Sequence, residues 1–464
     1  MKPADPTDRP QVDLSARRRI HVLGTAGPGM SALALLLAGM GHDVSGCDRR
    51  DDAVLDTLRS SGVHAMAGHD VSHVDGADYV VHPTGFPPDH PEIAAARSAS
   101  VPVVHRSDAL RAVSGAHRTV GVLGTHGKTT TTALLTAMLR AAGRDPSFYI
   151  GASVPQWGTG AAAGSDGSLV IECDESDDSA ASVLLDSAVL TNVDADHLDR
   201  YGDIAGVTDG FAAIVSRLHG VLVVCGDDSR AMEVAGRCGN VRRVTYGFGP
   251  GNDAVIDEPR QTEDGTEFTV THAGRRVAVR LPLRGRHNAL NCTAALVMAS
   301  EMGVEHATAA AGAGTFRGVE RRFVESGRLN GALLIDDYAH LPTEIEAVLR
   351  AAREHPARTG RVVAVFQPNR YHRIQQMAAD YAGSFADADM VFVTDIYASG
   401  TAPIEGVTGM LVVDAVRSRH PDVTWARSRG ELVAAVRAAL APGDVCISMG
   451  CGDISGFPSE LVAP

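Results

Sequence analysis

The segment Gly124-Thr-His-Gly-Lys-Thr-Thr130 constrains the fold of this chain more than any other. Before it runs the apolar, β-branched Thr119-Val-Gly-Val-Leu123, and after it an Ala/Leu-rich stretch predicts a helix over 129–142. A strand that turns through glycines directly into a helix is the building unit of a parallel α/β sheet. In such a turn the glycines admit phosphate oxygens close to the backbone, and the helix N-terminus offers them unpaired N–H groups. Lys128 adds a positive charge, and the Thr129 hydroxyl suits a Mg2+ ion. The ordinary phosphate-loop spacing would place a glycine at position 122, where this chain has Val122. The loop is therefore a variant, and Gly124, Thr125, His126, Gly127, Lys128, Thr129 and Thr130 are its candidate nucleotide ligands.

The same alternation of β-branched runs and Ala/Leu-rich segments fills the chain, and 464 residues suit about three domains. We expect an α/β protein with a disordered tail over 1–18, a Rossmann-like domain over 19–112, a central domain over 113–320 and a Rossmann-like C-terminal domain over 321–464. The central domain is expected to be of the P-loop ATPase type, a parallel sheet with a small antiparallel excursion between Val241 and Leu283. In the first domain, Gly24-Thr-Ala-Gly-Pro-Gly29 joins a strand at Arg19–Leu23 to a helix at Met30–Ala38. A dinucleotide fingerprint would read Gly-x-Gly-x-x-Gly, and this loop does not. It still offers Gly27 and Gly29 to a diphosphate, with Asp48 at the end of the next strand, where a carboxylate can bond a ribose hydroxyl.

Two acidic runs follow strands of the central domain: Glu172-Cys-Asp-Glu-Ser-Asp-Asp178 and Thr191-Asn-Val-Asp-Ala-Asp-His-Leu-Asp199. Their carboxylates emerge at the C-terminal edge of the sheet, where open α/β sheets bind ligands. An acidic run alone is usually a solvated loop. Two of them at consecutive strand ends, beside a phosphate loop, point instead to Mg2+ bridging nucleotide phosphates, with Glu172, His197 and Thr129 as candidate ligands.

Lys and Arg number 42 against 56 Asp and Glu, a balance of 42 − 56 = −14. That excludes the extended basic face that nucleic acid or an anionic membrane requires. The chain begins with a polar, proline-containing stretch, and its densest apolar run, Ala32–Ala38, falls far short of the ~20 residues of a membrane span. The seven cysteines are widely spaced and form no CxxC pair, which reads as reduced thiols and neither a disulfide frame nor a zinc knuckle. We therefore expect a cytoplasmic protein, a monomer or weak homodimer. His64, His69, His73 and His90 are scattered, and the sequence gives them no role.

Six motifs in order carry a resemblance. These are Gly124-Thr-His-Gly-Lys-Thr-Thr, Glu172-x-Asp-Glu-Ser-Asp, Asn192-Val-Asp-x-Asp-His, His287-Asn-x-x-Asn291, Arg321-Arg-Phe and Asp336-Asp-Tyr-Ala-His340. Together they resemble the Mur ligases of peptidoglycan synthesis, over residues 20 to 455. Val103-Val-His-Arg-Ser-Asp108, Phe366-Gln-Pro-x-Arg-Tyr371 and Met449-Gly-x-Gly-Asp453 point to a member acting on UDP-N-acetylmuramate and L-alanine. The resemblance implies a nucleotide-sugar domain, an ATPase and an amino-acid domain, with ATP and Mg2+ as cofactors. It implies an acyl phosphate formed on the muramyl carboxylate and then displaced by the amine. By the family pattern, Lys128, Glu172, His197, Arg322 and Asp337 are catalytic, and His287, Asn288 and Asn291 lie at the adenine. Arg322 and Asp337 would reach the phosphates and ribose. Gly27, Gly29, Met30, Asp48, His105, Arg106 and Ser107 would serve the UDP-sugar. Tyr338, His340, Arg370, Tyr371 and Arg373 would serve the amino acid, where a guanidinium fork matches a carboxylate.

The departures fall away from the ATPase motifs. The family's Gly-Gly-x-Gly-Met reads Ala26-Gly27-Pro28-Gly29-Met30, its Ser-Ser-Ala-Ile reads His82-Pro-Thr-Gly85, its His-His-Pro reads His340-Leu341-Pro342, and its His-Arg-Tyr reads Asn369-Arg370-Tyr371. Leu341 is expected to remove a polar partner from the acceptor pocket, which raises the alternative of a paralogue joining a different amino acid or acceptor. Two other relatives rank lower. A ligase adding preformed tripeptide typically lacks the Glu175-Ser176-Asp177 signature, and folylpolyglutamate synthetases would not begin with the Gly24–Met30 loop.

Overall fold

The computed structural model describes residues 11–177 and 179–463. Of the expected tail, residues 1–10 lie outside that description, as does Asp178 of the first acidic run; residues 11–18 form neither helix nor strand, and Val12 and Leu14 pack against the core. The chain forms two compact units. One runs to Ile256 and adds Val270–Val277 and Leu290–Phe316; the other holds Asp257–Thr269, Ala278–Ala289 and the chain from Arg317 onward.

The first unit opens with a five-stranded sheet, in the order His64–Ala67, Asp43–Asp48, Arg19–Leu23, Tyr79–His82, Val103–His105. All its pairings are parallel. Ile20, Val22, Leu23, Val80 and Val81 are fully covered, as the unbroken apolar runs of a parallel sheet require. The helix Pro28–Gly39 begins with proline, whose fixed φ and missing N–H suit a helix start. Met30, Ala32, Leu33, Ala34, Leu36 and Leu37 bury nearly all its faces. It packs on the strands Ser147–Val154 and Thr159–Ala162 of the next sheet, which joins the first sheet to that part of the second within one compact unit.

That second sheet runs Arg275–Leu281, Gly265–His272, Ala254–Thr262, Arg242–Gly247, Val221–Cys225, Ser187–Leu190, Arg118–Leu123, Ser168–Glu172, Ser147–Val154, Thr159–Ala162. The antiparallel excursion expected from Val241 begins differently: Arg242–Gly247 pairs parallel with Val221–Cys225 and extends the main sheet. Its alternation, buried Val244 and Tyr246 against exposed Arg243 and half-buried Thr245, reports a half-covered strand and carries no information on direction.

The second unit is built on a six-stranded sheet in the order Val324–Leu329, Ala332–Asp337, Val445–Met449, Val362–Phe366, Met390–Val393, Val423–Trp425. Only the Val324–Leu329 edge is antiparallel. After Arg370 an α-helix over Tyr371–Met377 tightens into a 3-10 turn over Ala378–Gly383.

Candidate active site

The strand Arg118–Leu123 ends at Gly124 (φ 127°), and the chain turns through Gly127 (φ 79°) into the helix Lys128–Ala141. At Gly127 space matters as well as conformation, because a Cβ there would fall 2.4 Å from Oδ1 of Asn291. The loop is lashed to the chain that follows the strand Ser187–Leu190. The His126 N–H donates to Asn192 Oδ1 (2.9 Å), the Thr191 hydroxyl donates to the His126 carbonyl (2.7 Å), and the Asp194 N–H donates to Thr125 Oγ1 (2.9 Å). The His126 ring lies 2.9 Å from Asp194 Oδ2. This part of the second acidic run, read from sequence as metal chemistry, thus shapes the phosphate loop. His197, held in the left-handed region (φ 51°), sits 3.3 Å from Asp196.

Lys128 folds back over its own loop, donating to the carbonyls of Gly124 (2.6 Å) and Thr125 (3.1 Å), with both Glu175 oxygens 2.9 Å from its Nζ. Burial raises the Glu175 carboxyl, with Lys128 opposing it. At Lys128 burial is outweighed by Glu175, Asp174 and Glu172, which hold the ammonium firmly protonated. On the next residue the Thr129 hydroxyl donates to Glu172 Oε1 (2.9 Å), whose other oxygen accepts from the Gly151 N–H (2.8 Å). Adjacent ligand oxygens on an octahedral Mg2+, with bonds of about 2.0–2.1 Å, lie about 2.9 Å apart. Thr129 and Glu172 therefore already have the spacing that such an ion uses.

In the first sheet, Asp48 braces its loop directly, accepting from the N–H groups of Ala26 (3.0 Å) and Arg50 (3.1 Å). At Gly29 a Cβ would lie 2.1 Å from Arg106 Nη1 and 3.2 Å from the Tyr149 hydroxyl. Tyr149 donates to the Gly29 carbonyl at 2.9 Å. Arg106, at the start of the helix Arg106–Gly115, donates to Asp177 Oδ2 (2.5 Å) and Ser179 Oγ (3.1 Å). His105 caps that helix, its Nδ1 accepting from the Ser107 N–H (3.2 Å), while Nε2 faces Thr84 Oγ1 (3.0 Å). Met30 is buried in the core beneath the loop. Glycine loop, guanidinium and helix N-terminus together have the chemistry that an anion site uses.

In the second unit, Asp337 ends the strand Ala332–Asp337, accepting from the N–H groups of Phe323 and Ala339, both at 2.7 Å. Burial raises its carboxyl to about 6, with Arg322 opposing. Arg321 and Arg322 lie over the Tyr338 ring, 5.2 and 4.9 Å from its centroid. His287, partly buried, is pushed down to about 4 by burial and then by Arg322, so it is a neutral imidazole. Asn288 donates to the Arg284 carbonyl (2.8 Å). Arg373 is almost fully buried and donates to Asn369 Oδ1 at 2.7 Å. Arg370 heads the helix Tyr371–Met377 with φ 59°, a strained conformation of the kind found at functional sites. His340 Nδ1 lies 3.2 Å from Glu344. Leu341 corrects an expectation: only 2% exposed, it is a core side chain at the start of the helix Pro342–Arg353 and does not present itself to an acceptor.

The sequence alone supplied no partners for Glu175, Asp177, Asn192 and Asp194, although all four lie inside the motifs quoted above; Asn369 stood out only as a departure from the family pattern, and Tyr149 carried no signal of its own.

Phosphate loop, paired carboxylates and three α/β sheets define a nucleotide-binding α/β enzyme. The chain matches the Mur ligase family, catalytic domain, over residues 19–118, the Mur ligase middle domain over 122–299, and the Mur ligase, glutamate ligase domain over 321–452. It is 38% identical to the UDP-N-acetylmuramate–L-alanine ligase of Bradyrhizobium sp. (strain ORS 278), covering 96% of this chain and 98% of the relative. The enzyme of the same name from Paenarthrobacter aurescens (strain TC1) is 41% identical, covering 97% of each. The crystal structure of UDP-N-acetylmuramate-alanine ligase from Thermotoga maritima superposes with a TM-score of 0.79 at 27% identity, over 96% of this chain and 98% of that one. The chain belongs to the Mur ligase family.

Proposed function

We propose that this protein is an ATP-dependent ligase that joins L-alanine to the carboxylate of UDP-N-acetylmuramate, in the cytoplasm, as a step of peptidoglycan precursor synthesis. Relatives of that one activity match essentially the whole chain at 37–41% identity. The observation in the structure that carries the reading is the Lys128–Thr129–Glu172–Glu175 cluster, a phosphate loop with its cation and carboxylates already in place.

In this reading the muramyl carboxylate oxygen forms a bond to the γ-phosphorus of ATP as the bond to ADP breaks. The amine of alanine then attacks the acyl carbon, and inorganic phosphate leaves. Such phosphoryl transfer is catalysed by positioning and charge neutralisation. The loop N–H groups and Lys128 would hold the phosphates; Thr129, Glu172 and His197 would hold Mg2+, which would neutralise their charge. Arg322 and Asp337 serve the phosphates and ribose, and His287, Asn288 and Asn291 the adenine. Gly27, Gly29, Asp48, His105, Arg106 and Ser107 hold the UDP portion, and Met30 backs their loop from the core. Arg370 and Arg373 receive the amino-acid carboxylate, with Tyr338, His340 and Tyr371 beside them. Buried Leu341 removes the main ground for a different acceptor.

The test is phosphate release with ATP, Mg2+ and UDP-N-acetylmuramate, each amino acid being added singly. Release with L-alanine well above the rest is expected. Silence with L-alanine and turnover with another amine would overturn the assignment.

A further inference from the structure

Away from the phosphate loop, the first sheet gathers His21, Cys47, His69, His73, His90 and Glu92 around one point. Glu92 is a fully buried carboxylate in the first turn of the helix Pro91–Ser98. His21 and Cys47, from the strands Arg19–Leu23 and Asp43–Asp48, are fully buried too, and His73 comes from the 3-10 turn Val71–Val74. One ligand atom from each of His21, Cys47, His73 and Glu92 lies within 4.8 Å of all the others.

The spacing suits a tetrahedral ion. With bonds of about 2.0–2.3 Å, ligand atoms on zinc stand about 3.3–3.7 Å apart. Here Cys47 Sγ is 3.5 Å from His21 Nε2 and 3.3 Å from Glu92 Oε1, and His21 Nε2 is 3.8 Å from Glu92 Oε1. His73 Nδ1, at 2.8 Å from Glu92 Oε1, would open by roughly half an ångström to complete the set. Three further observations point the same way. His21 Nδ1 lies 2.9 Å from Ser45 Oγ, a partner that fixes the ring with Nε2 turned to the cluster, as outer partners of metal-bound imidazoles do. Glu92 Oε2 is held by His69 at 2.9 Å. His90, over nine-tenths buried, aims an Nδ1 without a hydrogen-bond partner among the described residues at that oxygen from 3.7 Å. One thiolate and one carboxylate would neutralise a dication, which removes the objection to buried charge. Imidazole and thiolate donors select zinc-like ions over Mg2+.

We propose that His21, Cys47, His73 and Glu92 bind one zinc-type divalent transition ion, at a structural site separate from the nucleotide. The ion would clamp four elements beneath the glycine loop, since the Cys47 carbonyl accepts from the N–H groups of Gly24 (2.8 Å) and Thr25 (3.1 Å).

The test uses full-length, tag-free protein stripped with a chelator and titrated with Co2+, whose spectrum reports its ligands. Saturation at one equivalent is expected, with a thiolate-to-cobalt charge-transfer band that competing Zn2+ abolishes. Cys47→Ser should lose the band, and His73→Gln, at a partly exposed ligand, should weaken cobalt binding at least about tenfold. Circular dichroism of the stripped variants establishes that they fold. A native protein without the band overturns the proposal with no variant needed, and so does a band that survives in Cys47→Ser. Cobalt bound only at the phosphate loop would give no band, since the proposed ligands there, Thr129, Glu172 and His197, include no thiolate.

Discussion

The ammonium of Lys128 and the carboxylate of Glu175 form a buried pair, 2.9 Å apart, at the mouth of the phosphate loop. Glu175 thereby holds Lys128 in position over its own loop. Removing one member of a buried pair is far worse than removing both, because the survivor is left uncompensated.

Lys128→Met is therefore expected to lower kcat by roughly 10²–10³-fold and to cost about 3–5 kcal/mol in stability. The double variant Lys128→Met/Glu175→Gln should regain most of the stability and none of the activity. Urea unfolding beside phosphate-release kinetics separates the two effects. If the double variant were no more stable than the single one, the pair would not be coupled as described.

Gly29→Ala places a methyl group where Arg106 now passes, 2.1 Å from its Nη1. Arg106 is also tied to Asp177 and Ser179, so it cannot move without releasing them. A misplacement of about 1 Å can cost on the order of 10²-fold, and that loss in kcat/KM for UDP-N-acetylmuramate is expected here. The KM for ATP should change little. Steady-state kinetics with each substrate varied in turn decides it; equal losses for both would mean that the whole sheet had shifted.

The phosphate loop, the strand-to-helix turns and the family were legible because each is local: glycines, a lysine and a threonine between an apolar run and a helix. What was not legible depends on partners far apart in the chain. Asp194 sits in an acidic run whose pattern says nothing of its partners, and the fold puts it on Thr125 and His126. Leu341 reads as an altered pocket residue until its burial shows a helix start in the core. His69, His73 and His90 carry no spacing pattern, because the strands Arg19–Leu23 and Asp43–Asp48, the turn Val71–Val74 and the helix Pro91–Ser98 are distant in sequence and meet only in the folded domain. Arg242–Gly247 was misread because alternation gives the covered face of a strand and not its direction.

Asn369 accepts from Arg373 at 2.7 Å. If Arg373 receives the amino-acid carboxylate, Asn369 positions it. A hydrogen bond to a charged group is worth about 1.5–3 kcal/mol, so Asn369→Ala should raise the KM for L-alanine roughly 10–100-fold. The KM values for ATP and the UDP-sugar should stay within about twofold, and Asn369→His should restore much of the loss. An unchanged alanine KM would remove Arg373 from the acceptor site.

Asp337 makes the stability of the second unit pH-dependent in a direction opposite to most carboxylates. Burial raises its carboxyl to about 6 from 3.8, so between those values the native chain holds a proton that the unfolded chain has released. Stability then falls as pH rises through this window, and the penalty is complete above it. A rise of that size corresponds to on the order of 3 kcal/mol. His287 works the other way: its folded value of about 4 lies below 6.5, the unfolded chain binds the extra proton, and stability is lost as pH falls from about 6.5 to 4. The two slopes oppose each other in the native protein and are separated by Asp337→Asn, which cannot titrate. That substitution also sacrifices one of the N–H bonds from Phe323 or Ala339, so its absolute stability is uninformative. The difference between wild type and variant is the measurement: wild type should lose ground to the variant as urea midpoints are taken from pH 4 to pH 6, and a difference that stays flat would place the Asp337 carboxyl in the ordinary range.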